Sequence, residues 1–337
     1  MKLAAVGSVG LDTVETPHGH IKEAPGGSVV FFGLAASFFT PVAIIANQGE
    51  DFPDSAWEVL RSRGADLSGL RTISGEKTFR WQARYTGEMD NATTLKTELN
   101  VLAHPPEIPP SHEGAEFLFL ANMGPDVQLA TFAKARAKRV WADTMNLWID
   151  TQPDILRKVL KGLEGLFLNE EEALQFTQTS ALEDAGRALL AEGPQVVIIK
   201  QGAKGALLCS NLEVRGRNVL KQESFPAYPS SSVVDPTGAG DSFAGGFLGF
   251  LAEHANLSAA GNQINDMAGR ADGVFLEPKD PSALSLATLY HAVAAGTAAA
   301  SLAVESFSTQ RLEEADRADV KERMAALLSG HSEYCDS

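Results

Sequence analysis

Residues 233–252 read VVDPTGAGDSFAGGFLGFLA, and the rest of the chain is organised around this stretch. Two valines and an aspartate lead into a proline, which suits a chain that is leaving an extended segment. A Gly238-Ala239-Gly240 turn then opens an uncharged segment of helical length. The first N–H groups of a helix lack partners and the helix dipole is positive there, so such a turn favours an anion.

Asp241, in the first turn of this predicted helix, has two interpretations. A carboxylate beside an anion site could orient and deprotonate a hydroxyl while the N–H groups neutralise a phosphoryl group in transit. However, an acid in a first helical turn is favourable for dipole reasons alone, and glycine turns open many helices. The rest of the chain has to decide between phosphoryl transfer and a structural role.

The composition indicates a globular protein with small-molecule partners. The chain has 337 residues, of which 44% are hydrophobic and 21% charged, and a single α/β unit of this size is common. Its net charge of −15 argues against nucleic acid or an anionic membrane as a partner. It does not argue against a nucleotide, because backbone N–H groups and a metal ion can hold phosphates locally.

Cysteine usage and the N-terminus predict a cytoplasmic location. Cys209 falls in a strand-like run and Cys335 in the tail, so neither a disulfide framework nor a metal-ligand spacing is present. The N-terminal apolar run is too short for a signal peptide. Val29–Ala46 is predicted to be a buried helix, turn and strand, and the alanine-rich Leu284–Val304 a packed helix, rather than membrane spans.

Strand-like and helix-like segments alternate along most of the chain. Strands separated by helical stretches of about 10–15 residues predict a parallel, doubly wound sheet. The predicted strands are Leu3–Val6, Val42–Ala46, Phe117–Leu120, Val140–Ala142, Gly165–Leu168 and Gln195–Lys200, with shorter edge strands at Ala206–Cys209, Glu213–Gly216 and Ser224–Phe225. The predicted helices are a segment from Pro25-Gly26-Gly27-Ser28 to Phe39, then Phe52–Arg63, Pro125–Lys138, Pro153–Leu160, Glu170–Phe176, Ala181–Ala191, Leu284–Val304 and Glu313–Leu328.

One region lacks this alternation of strands and helices. Apolar and polar residues alternate from Thr78 to Tyr85 and again from Leu95 to Val101, which predicts a hairpin with one apolar face. The apolar face of such a sheet must be buried, so the sheet either caps an active site or forms the face of a dimer. We therefore predict a main α/β domain of residues 1–70 and 104–330, a β-hairpin lid of residues 71–103 and a C-terminal tail of residues 331–337. The polar stretch Glu253–Pro281 is long for a connection in a compact domain.

Two polar turns follow predicted strands. Asn169 and Glu172 in the sequence NEEE match a capping box, which suffices as an explanation, although the carboxylate could also hold metal-bound waters. Lys200–Gly205, KQGAKG, is satisfied as a hairpin turn without a ligand. The sequence contains no Walker A pattern and no histidines at metal-ligand spacing.

Two segments near the N-terminus have a similar double meaning. In GSVGLD, Asp12 follows the first predicted strand and either caps a loop or contacts a ligand, because α/β sheets bind ligands at the carboxyl ends of strands. The Gly26-Gly27 pair indicates a close approach of the backbone to a ligand or to a neighbouring element.

These four segments and DPTGAGD at 235–241, taken in order and spacing, resemble the motifs of the ribokinase-like (PfkB) family of carbohydrate and nucleoside kinases. The likeness runs from Lys2 to Arg311. It implies an α/β fold with a doubly wound, mostly parallel sheet flanked by helices and a small β-sheet lid. It also implies ATP and Mg²⁺, and transfer of the γ-phosphoryl group to an alcohol.

The resemblance also implies a role for each matching position. Asp241 would be the catalytic base, and Gly238, Ala239 and Gly240 would form the anion hole. The substrate side would comprise Asp12, Gly26, Gly27, Phe31, Arg84, Asn91, Asn122 and Asp241. The nucleotide side would comprise Asn169, Glu172, Lys200, Gly202, Gly205, Thr237, Gly240 and Thr297, with Glu172 holding Mg²⁺ through water. Many members bind a monovalent cation such as K⁺, and the matching positions are Asp235, Thr237, Ala303, Ser306 and Ser308.

The chain departs from the family pattern on the substrate side. Phe31 stands where sugar-specific members commonly carry Asn, so a polar contact is lost and aromatic surface is gained, unless Phe31 is an ordinary core residue. Asn47–Asp51 also differs from the usual acidic-glycine pattern. We expect a sugar kinase, with a nucleoside kinase as the alternative because Trp81 and Asn91 in the lid could meet a base. A non-catalytic sugar- or nucleotide-binding sensor of the same fold is a second alternative, and the exposed apolar residues of the lid offer a face for a homodimer.

Overall fold

The computed structural model describes residues 1–89, 91–214, 217–230, 232–254 and 284–329. Cys335, the tail and residues 255–281 of the predicted polar stretch lie outside the described residues. Cys209 is a buried free thiol on a strand, as the sequence predicts.

The described strands form two separate sheets. In chain order they are β1 (Leu3–Val6), β2 (Gly10–Thr16), β3 (Gly19–Gly26), β4 (Val42–Gly49), β5 (Asp66–Ile73), β6 (Phe79–Tyr85), β7 (Ala92–Glu98), β8 (Phe117–Leu120), β9 (Arg139–Asp143), β10 (Gly165–Asn169), β11 (Val196–Lys200), β12 (Ala206–Val214) and β13 (Arg217–Phe225). The large sheet has the order β13-β12-β11-β10-β9-β8-β1-β4-β5, and the small sheet has the order β3-β2-β6-β7. From β11 to β5 all neighbours in the large sheet are parallel.

Helices connect these strands. They are α1 (Ser28–Ala36), α2 (Glu58–Ser62), α3 (Pro125–Lys134), α4 (Asn146–Thr151), α5 (Pro153–Leu160), α6 (Glu170–Thr177), α7 (Leu182–Ala191), α8 (Ala239–His254), α9 (Leu286–Ala303), α10 (Gln310–Glu314) and α11 (Arg317–Ser329), with short 3₁₀ turns at Asp54–Trp57, Asn100–Ala103 and Gly202–Lys204.

The large sheet is covered by helices on both faces. Leu3 and Ala5 of β1 belong to one hydrophobic cluster, together with residues of α1, α8 and α9. Ala4 and Val6 of the same strand belong to a second cluster, together with residues of α5, α6 and α7. Successive side chains of a strand point to opposite faces, so a continuous apolar run is what a sheet buried on both sides requires. The predicted doubly wound, mostly parallel sheet is confirmed.

One edge of the large sheet differs from the prediction. In place of three short edge strands, β12 and β13 form a long antiparallel hairpin that pairs with β11. The prediction interrupted the strands at residues 210–212 and 217–223, where the backbone pairing continues. Backbone hydrogen bonds hold a hairpin whose outer residues are polar, such as Lys221 and Gln222 in β13.

The small sheet contains more of the chain than the predicted hairpin. β6 and β7 lie within the segment 71–103, but β2 and β3, which come from the first 26 residues, complete the sheet. Asp12 is therefore a strand residue rather than a loop residue, and Gly26 ends β3 rather than opening a helix. Polar residues such as Glu15 and His20 mask these strands in the sequence, because one face of the sheet is solvated.

Helix α8 packs unusually close to the helices on either side. A Cβ atom added to Gly245 would lie 2.3 Å from the carbonyl oxygen of Phe32 in α1. A Cβ atom added to Gly246 would lie 2.6 Å from the carbonyl oxygen of Ala295 in α9. The glycines of α8 therefore fix the distance between three helices and the position of the N-terminus of α8.

Among the described residues, α9 alone has the length and apolar composition of a membrane span. Its Leu286–Ala303 window is 67% buried inside the protein, and it packs against α8 and α11. Burial in the protein core accounts for its apolar composition, as predicted.

The close packing of α8 can be tested at Gly245. Gly245→Ala places a methyl group against a backbone carbonyl that cannot rotate away, so we expect the free energy of unfolding to fall by about 1–3 kcal/mol. Urea denaturation measures the change. Gly114→Ala is the matched control, because its added Cβ would meet nothing within 4 Å. Equal stability of the two variants would contradict the packing described here.

Candidate active site

Three neighbouring parallel strands end at one edge of the large sheet, and each ends in a polar side chain. β9 ends at Asp143, β10 at Asn169 and β11 at Lys200. Asn169 is paired with Lys200 across the sheet, and Phe167 of β10 is paired with Asp143. The Lys200 Nζ atom donates a hydrogen bond to Asp143 Oδ2 at 2.8 Å. This edge is the one at which open α/β sheets bind ligands.

Asn169 and Glu172 form the predicted capping box at the start of α6. The Glu172 N–H donates to Asn169 Oδ1 at 2.8 Å, and the Asn169 N–H donates to Glu172 Oε2 at 2.7 Å. Glu172 is buried, and burial followed by the charge of Asp143 raises its pKa to about 7. A carboxylate that ionises with difficulty here would be stabilised by a cation.

The glycine turn before α8 has the geometry of an anion site. Gly238 has a φ of +74°, which favours glycine, and Ser242 makes the first helical hydrogen bond back to its carbonyl. The Ala239 N–H donates to the Pro236 carbonyl at 3.2 Å. Of the predicted anion hole, Gly240 therefore presents an N–H group without a partner in the helix, whereas the Asp241 N–H donates to its own carboxylate.

Asp241 lies in the first turn of α8, among the other charged groups of the site. Burial, followed by the negative charges of Asp143 and Asp12, raises its pKa to about 8, whereas the Lys200 ammonium opposes them. The interactions connect Asp241 both to the sheet edge at β9–β11 and to the small sheet. Asp241 therefore lies where the two parts of the site meet.

Lys200 lies directly against the glycine turn. A Cβ atom added to Gly240 would lie 2.9 Å from the Lys200 Nζ atom. The predicted nucleotide-side lysine therefore contacts the anion hole itself.

Asp12 and the Gly26-Gly27 pair form one unit on the substrate side. Asp12 is 5% exposed, its carboxylate accepts a hydrogen bond from the Gly27 N–H, and burial followed by the charge of Asp235 raises its pKa to about 7. A Cβ atom on Gly26 would lie 2.1 Å from Asp12 Oδ2, and one on Gly27 would lie 2.6 Å from the Ser8 carbonyl oxygen. The glycine pair is required because the backbone passes this close.

Phe31 connects the substrate side to the glycine turn. Its ring is 1% exposed and would lie 2.3–2.5 Å from a Cβ atom on Gly238 and 3.4 Å from one on Gly26. Phe31 is thus part of the core and also the wall between Asp12 and the anion site.

Three other predicted substrate residues lie apart from this cluster. Arg84 pairs with Glu15 at 3.0 Å, is 48% exposed, and alternates with the buried Ala83 and Tyr85. Asn91 is exposed before β7. Asn122 accepts a hydrogen bond from Trp148 Nε1 at 2.9 Å and donates one to Met145 Sδ. Their role in substrate binding stays a prediction.

The predicted monovalent-cation positions are partly brought together. The Asp235 carboxylate is 1% exposed and accepts hydrogen bonds from the N–H groups of Thr237 at 2.9 Å and Ser308 at 3.2 Å. The Ser308 hydroxyl donates to the Pro25 carbonyl in β3 at 2.6 Å. Ser306 instead accepts from the Arg311 N–H, and Ala303 is the last residue of α9.

The remaining nucleotide-side predictions fall on two elements. Gly202 and Gly205 shape the turn after β11, where both have positive φ and a Cβ atom on Gly205 would lie 1.9 Å from the Phe225 carbonyl oxygen. Thr297 is buried within α9.

Two residues of the site were missed in the sequence. Asp143 directly follows the predicted strand Val140–Ala142, as Asp12 follows the first strand, and that position was the available signal. Tyr85 was assigned only to an apolar face, yet its hydroxyl accepts a hydrogen bond from Thr237 Oγ1 at 3.4 Å and so joins the small sheet to the DPTG turn.

The charges of the site suit a cation that arrives with phosphates. Asp143, Glu172 and Asp241 all influence Lys200, so three carboxyl groups face one ammonium. Among the described residues, no three His, Cys, Asp or Glu side chains are grouped to hold a metal ion. Mg²⁺ that keeps its waters and phosphate ligands, unlike an ion in a protein cage, does not need such a group of side chains.

Comparison with known proteins identifies relatives with this architecture. The pfkB family carbohydrate kinase pattern matches residues 112–269. The cytidine kinase of Thermococcus kodakarensis is 31% identical over 256 residues, which are 74% of this chain and 87% of that protein.

Solved structures share the fold over nearly the whole chain. The ribokinase of Cryptococcus neoformans in complex with ADP has a TM-score of 0.70 at 20% identity and covers 96% of this chain and 99% of its own. A putative ribokinase II from E. coli in complex with ATP and Mg²⁺ has a TM-score of 0.67 at 18% identity over 96% and 99%. Because the cytidine kinase is 31% identical over most of both chains, this chain belongs to the pfkB family of carbohydrate kinases, which are phosphotransferases with a hydroxyl acceptor.

Proposed function

We propose that this protein is a kinase that transfers the γ-phosphoryl group of ATP to a hydroxyl of a sugar or sugar-like substrate. The position of Asp241 carries the proposal. It lies in the first turn of α8, it interacts with Lys200 and Asp143 at the sheet edge, and it interacts with Asp12 from the small sheet. A base between a substrate side and an anion site is what phosphoryl transfer to an alcohol requires.

The proposed reaction uses the side chains already described. Asp12 accepts hydrogen bonds from substrate hydroxyls, and Asp241 takes the proton of the attacking hydroxyl. The hydroxyl oxygen forms the new bond to the γ-phosphorus, and the bond to the β-phosphate oxygen breaks, so ADP leaves with the electron pair. The N–H group of Gly240 in the Gly238-Ala239-Gly240 turn stabilises the transferred group. Mg²⁺ held through water by Glu172 would neutralise phosphate charge.

The raised pKa of Asp241 supports its assignment as the base. An ordinary carboxylate is a weak base toward an alcohol, whereas a carboxylate with a pKa of about 8 binds the proton more strongly. Burial and two neighbouring acids supply that basicity.

A nucleoside is the second candidate substrate. The relative with 31% identity is a cytidine kinase, and the substrate-side wall here is aromatic at Phe31. Trp81 and Tyr85 lie on the same strand face as Ala83, and Tyr85 contacts the DPTG turn. These rings offer stacking surface that a free sugar does not need.

Two further proposals concern the surroundings of the enzyme. The acidic composition favours small-molecule substrates over nucleic acid or membranes and, with the cysteine usage, a cytoplasmic location. Leu95 and Leu99, which are 44% and 61% exposed at the small sheet, support a homodimer through the lid. We also propose that K⁺ binds beside Asp235.

The proposed kinase activity is tested by measuring the turnover of the wild-type protein and of the variant Asp241→Asn. We expect wild-type protein to release ADP from ATP and Mg²⁺ with at least one member of a panel of pentoses, hexoses and ribonucleosides. Asp241→Asn should lower kcat by about 10²–10⁴-fold, because the hydroxyl loses its base, while ATP still binds. A coupled ADP-release assay and calorimetry measure the two effects.

Asp154→Asn is the matched control for this test. Asp154 also lies in a first helical turn, that of α5, and its side chain is 92% exposed. It should leave kcat unchanged. If Asp241→Asn retained near-normal turnover, Asp241 would be only a helix-dipole partner. If the wild-type protein turned over no alcohol, the non-catalytic sensor would be favoured.

Asp241 should also shape the pH dependence of stability. Its pKa is about 8 in the folded protein and 3.8 in an unfolded chain, so between these pH values the folded state binds a proton that the unfolded state releases. Stability therefore falls as the pH rises. Asn cannot ionise, so Asp241→Asn should be more stable than wild type at pH 8 by about 1–3 kcal/mol.

Urea denaturation without ATP or Mg²⁺ measures this difference. The two proteins should converge below pH 3.8, where Asp241 is protonated in both the folded and the unfolded state. Asp12 and Glu172 are present in both proteins, so their effects on the pH dependence of stability cancel in the comparison. Parallel pH dependence in the two proteins would contradict the raised pKa.

A further inference from the structure

Lys200 is a buried lysine at the centre of the candidate active site. Its side chain is 17% exposed, and its Nζ atom is 2.8 Å from Asp143 Oδ2, which is 6% exposed. The charges of Asp143, Glu172 and Asp241 raise its pKa against the effect of burial, so the ammonium keeps its charge. An ammonium has three N–H donors, and the ion pair with Asp143 uses one of them.

The ammonium lies against the anion hole. It would be 2.9 Å from a Cβ atom on Gly240, a glycine whose N–H group faces the anion position in the proposed function. A group bound at that turn would therefore contact Lys200. The position next to Asp241 is that of the phosphoryl group in transit, rather than that of the base or sugar of the nucleotide.

The second lysine of the same turn has a different environment. Lys204 is 72% exposed and pairs with Glu170 at 3.4 Å. The sequence KQGAKG therefore contains one lysine held inside the site and one on the surface, only four residues apart.

We infer that Lys200 is a further catalytic residue, whose ammonium binds the phosphoryl group as it passes from ATP to the substrate hydroxyl. This inference rests on the proposed function and deepens it. Lys200 keeps its proton throughout, because Asp241 takes the hydroxyl proton and ADP leaves with the electron pair of the broken bond. Asp143 is a positioning residue that holds the ammonium at the turn.

Lys200→Met tests this role. It removes one charged donor from the transferred group, so we expect kcat to fall by about 10²–10³-fold. ADP lacks the transferred group, so its affinity in the presence of Mg²⁺ should change by less than about threefold. Lys200→Arg, which keeps the charge, should recover part of the rate. Lys204→Met is the matched control and should leave both values unchanged.

The assay uses the full chain and the best substrate of the sugar and nucleoside panel, with ADP binding followed by calorimetry. A near-normal kcat in Lys200→Met would overturn the inference. So would a loss of ADP affinity equal to the loss of kcat/KM, which would make Lys200 a nucleotide-binding residue. Rate loss without loss of ADP affinity supports it.

A double variant covers the case in which Lys200→Met does not fold because Asp143 is left buried and unpaired. Asp143→Asn with Lys200→Met removes both charges and should still be at least about 100-fold slower than wild type. Normal turnover in the double variant would make the pair purely structural. An inactive Asp241→Asn beside an active Lys200→Met would refute only the role of Lys200, whereas an inactive wild type would refute the proposed function as well.

Discussion

The position of helix α8 depends on backbone contacts that only glycine permits. Gly245 and Gly246 let α8 touch the carbonyl groups of α1 and α9, so the helix cannot shift without a collision. Its first turn is therefore fixed relative to the sheet edge that carries Lys200. Packed interiors transmit such constraints because they contain few voids. The catalytic geometry proposed for Asp241 is thus set about 6–8 Å along the helix, by residues that take no part in the chemistry.

The site holds more negative charge than its own residues neutralise. Asp143, Glu172 and Asp241 surround Lys200, and Asp12 adds a fourth acid from the small sheet. The raised pKa values of Asp12, Glu172 and Asp241 mean that these three acids resist ionisation, which lowers stability near neutral pH but makes them responsive to cations and proton donors. The same charges that weaken the empty site suit the binding of magnesium and the removal of a proton. Stability and function therefore compete in this cluster of residues.

The sequence predicted the large sheet and the motif-bearing turns well, because apolar runs and glycine turns are local signals. Leu3–Val6, Phe117–Leu120 and Pro153–Leu160 have the predicted bounds. Prediction from the sequence failed where pairing between distant segments overrides the local pattern of apolar and polar residues. β2 and β3 are polar strands that pair with each other, and β2 joins the small sheet through its pairing with the distant β6. Asp143 lies in the site because of the register between β9 and β10, and Phe31 lies there because it contacts Gly238. Both contacts join residues that are distant in the sequence, so a local sequence pattern does not predict them.

The hydrogen bond from Ser308 to the Pro25 carbonyl joins residues 283 positions apart. A ribosome that adds about 5–20 residues per second needs roughly 15–60 s to make that interval of chain. During this time β3 has been synthesised, but Ser308, which donates the hydrogen bond to it, has not. The small sheet therefore receives this anchor only after Ser308 has been made. Until then, a nascent chain would hold Asp12 and the glycine pair without the contact that ties β3 to the segment after α9.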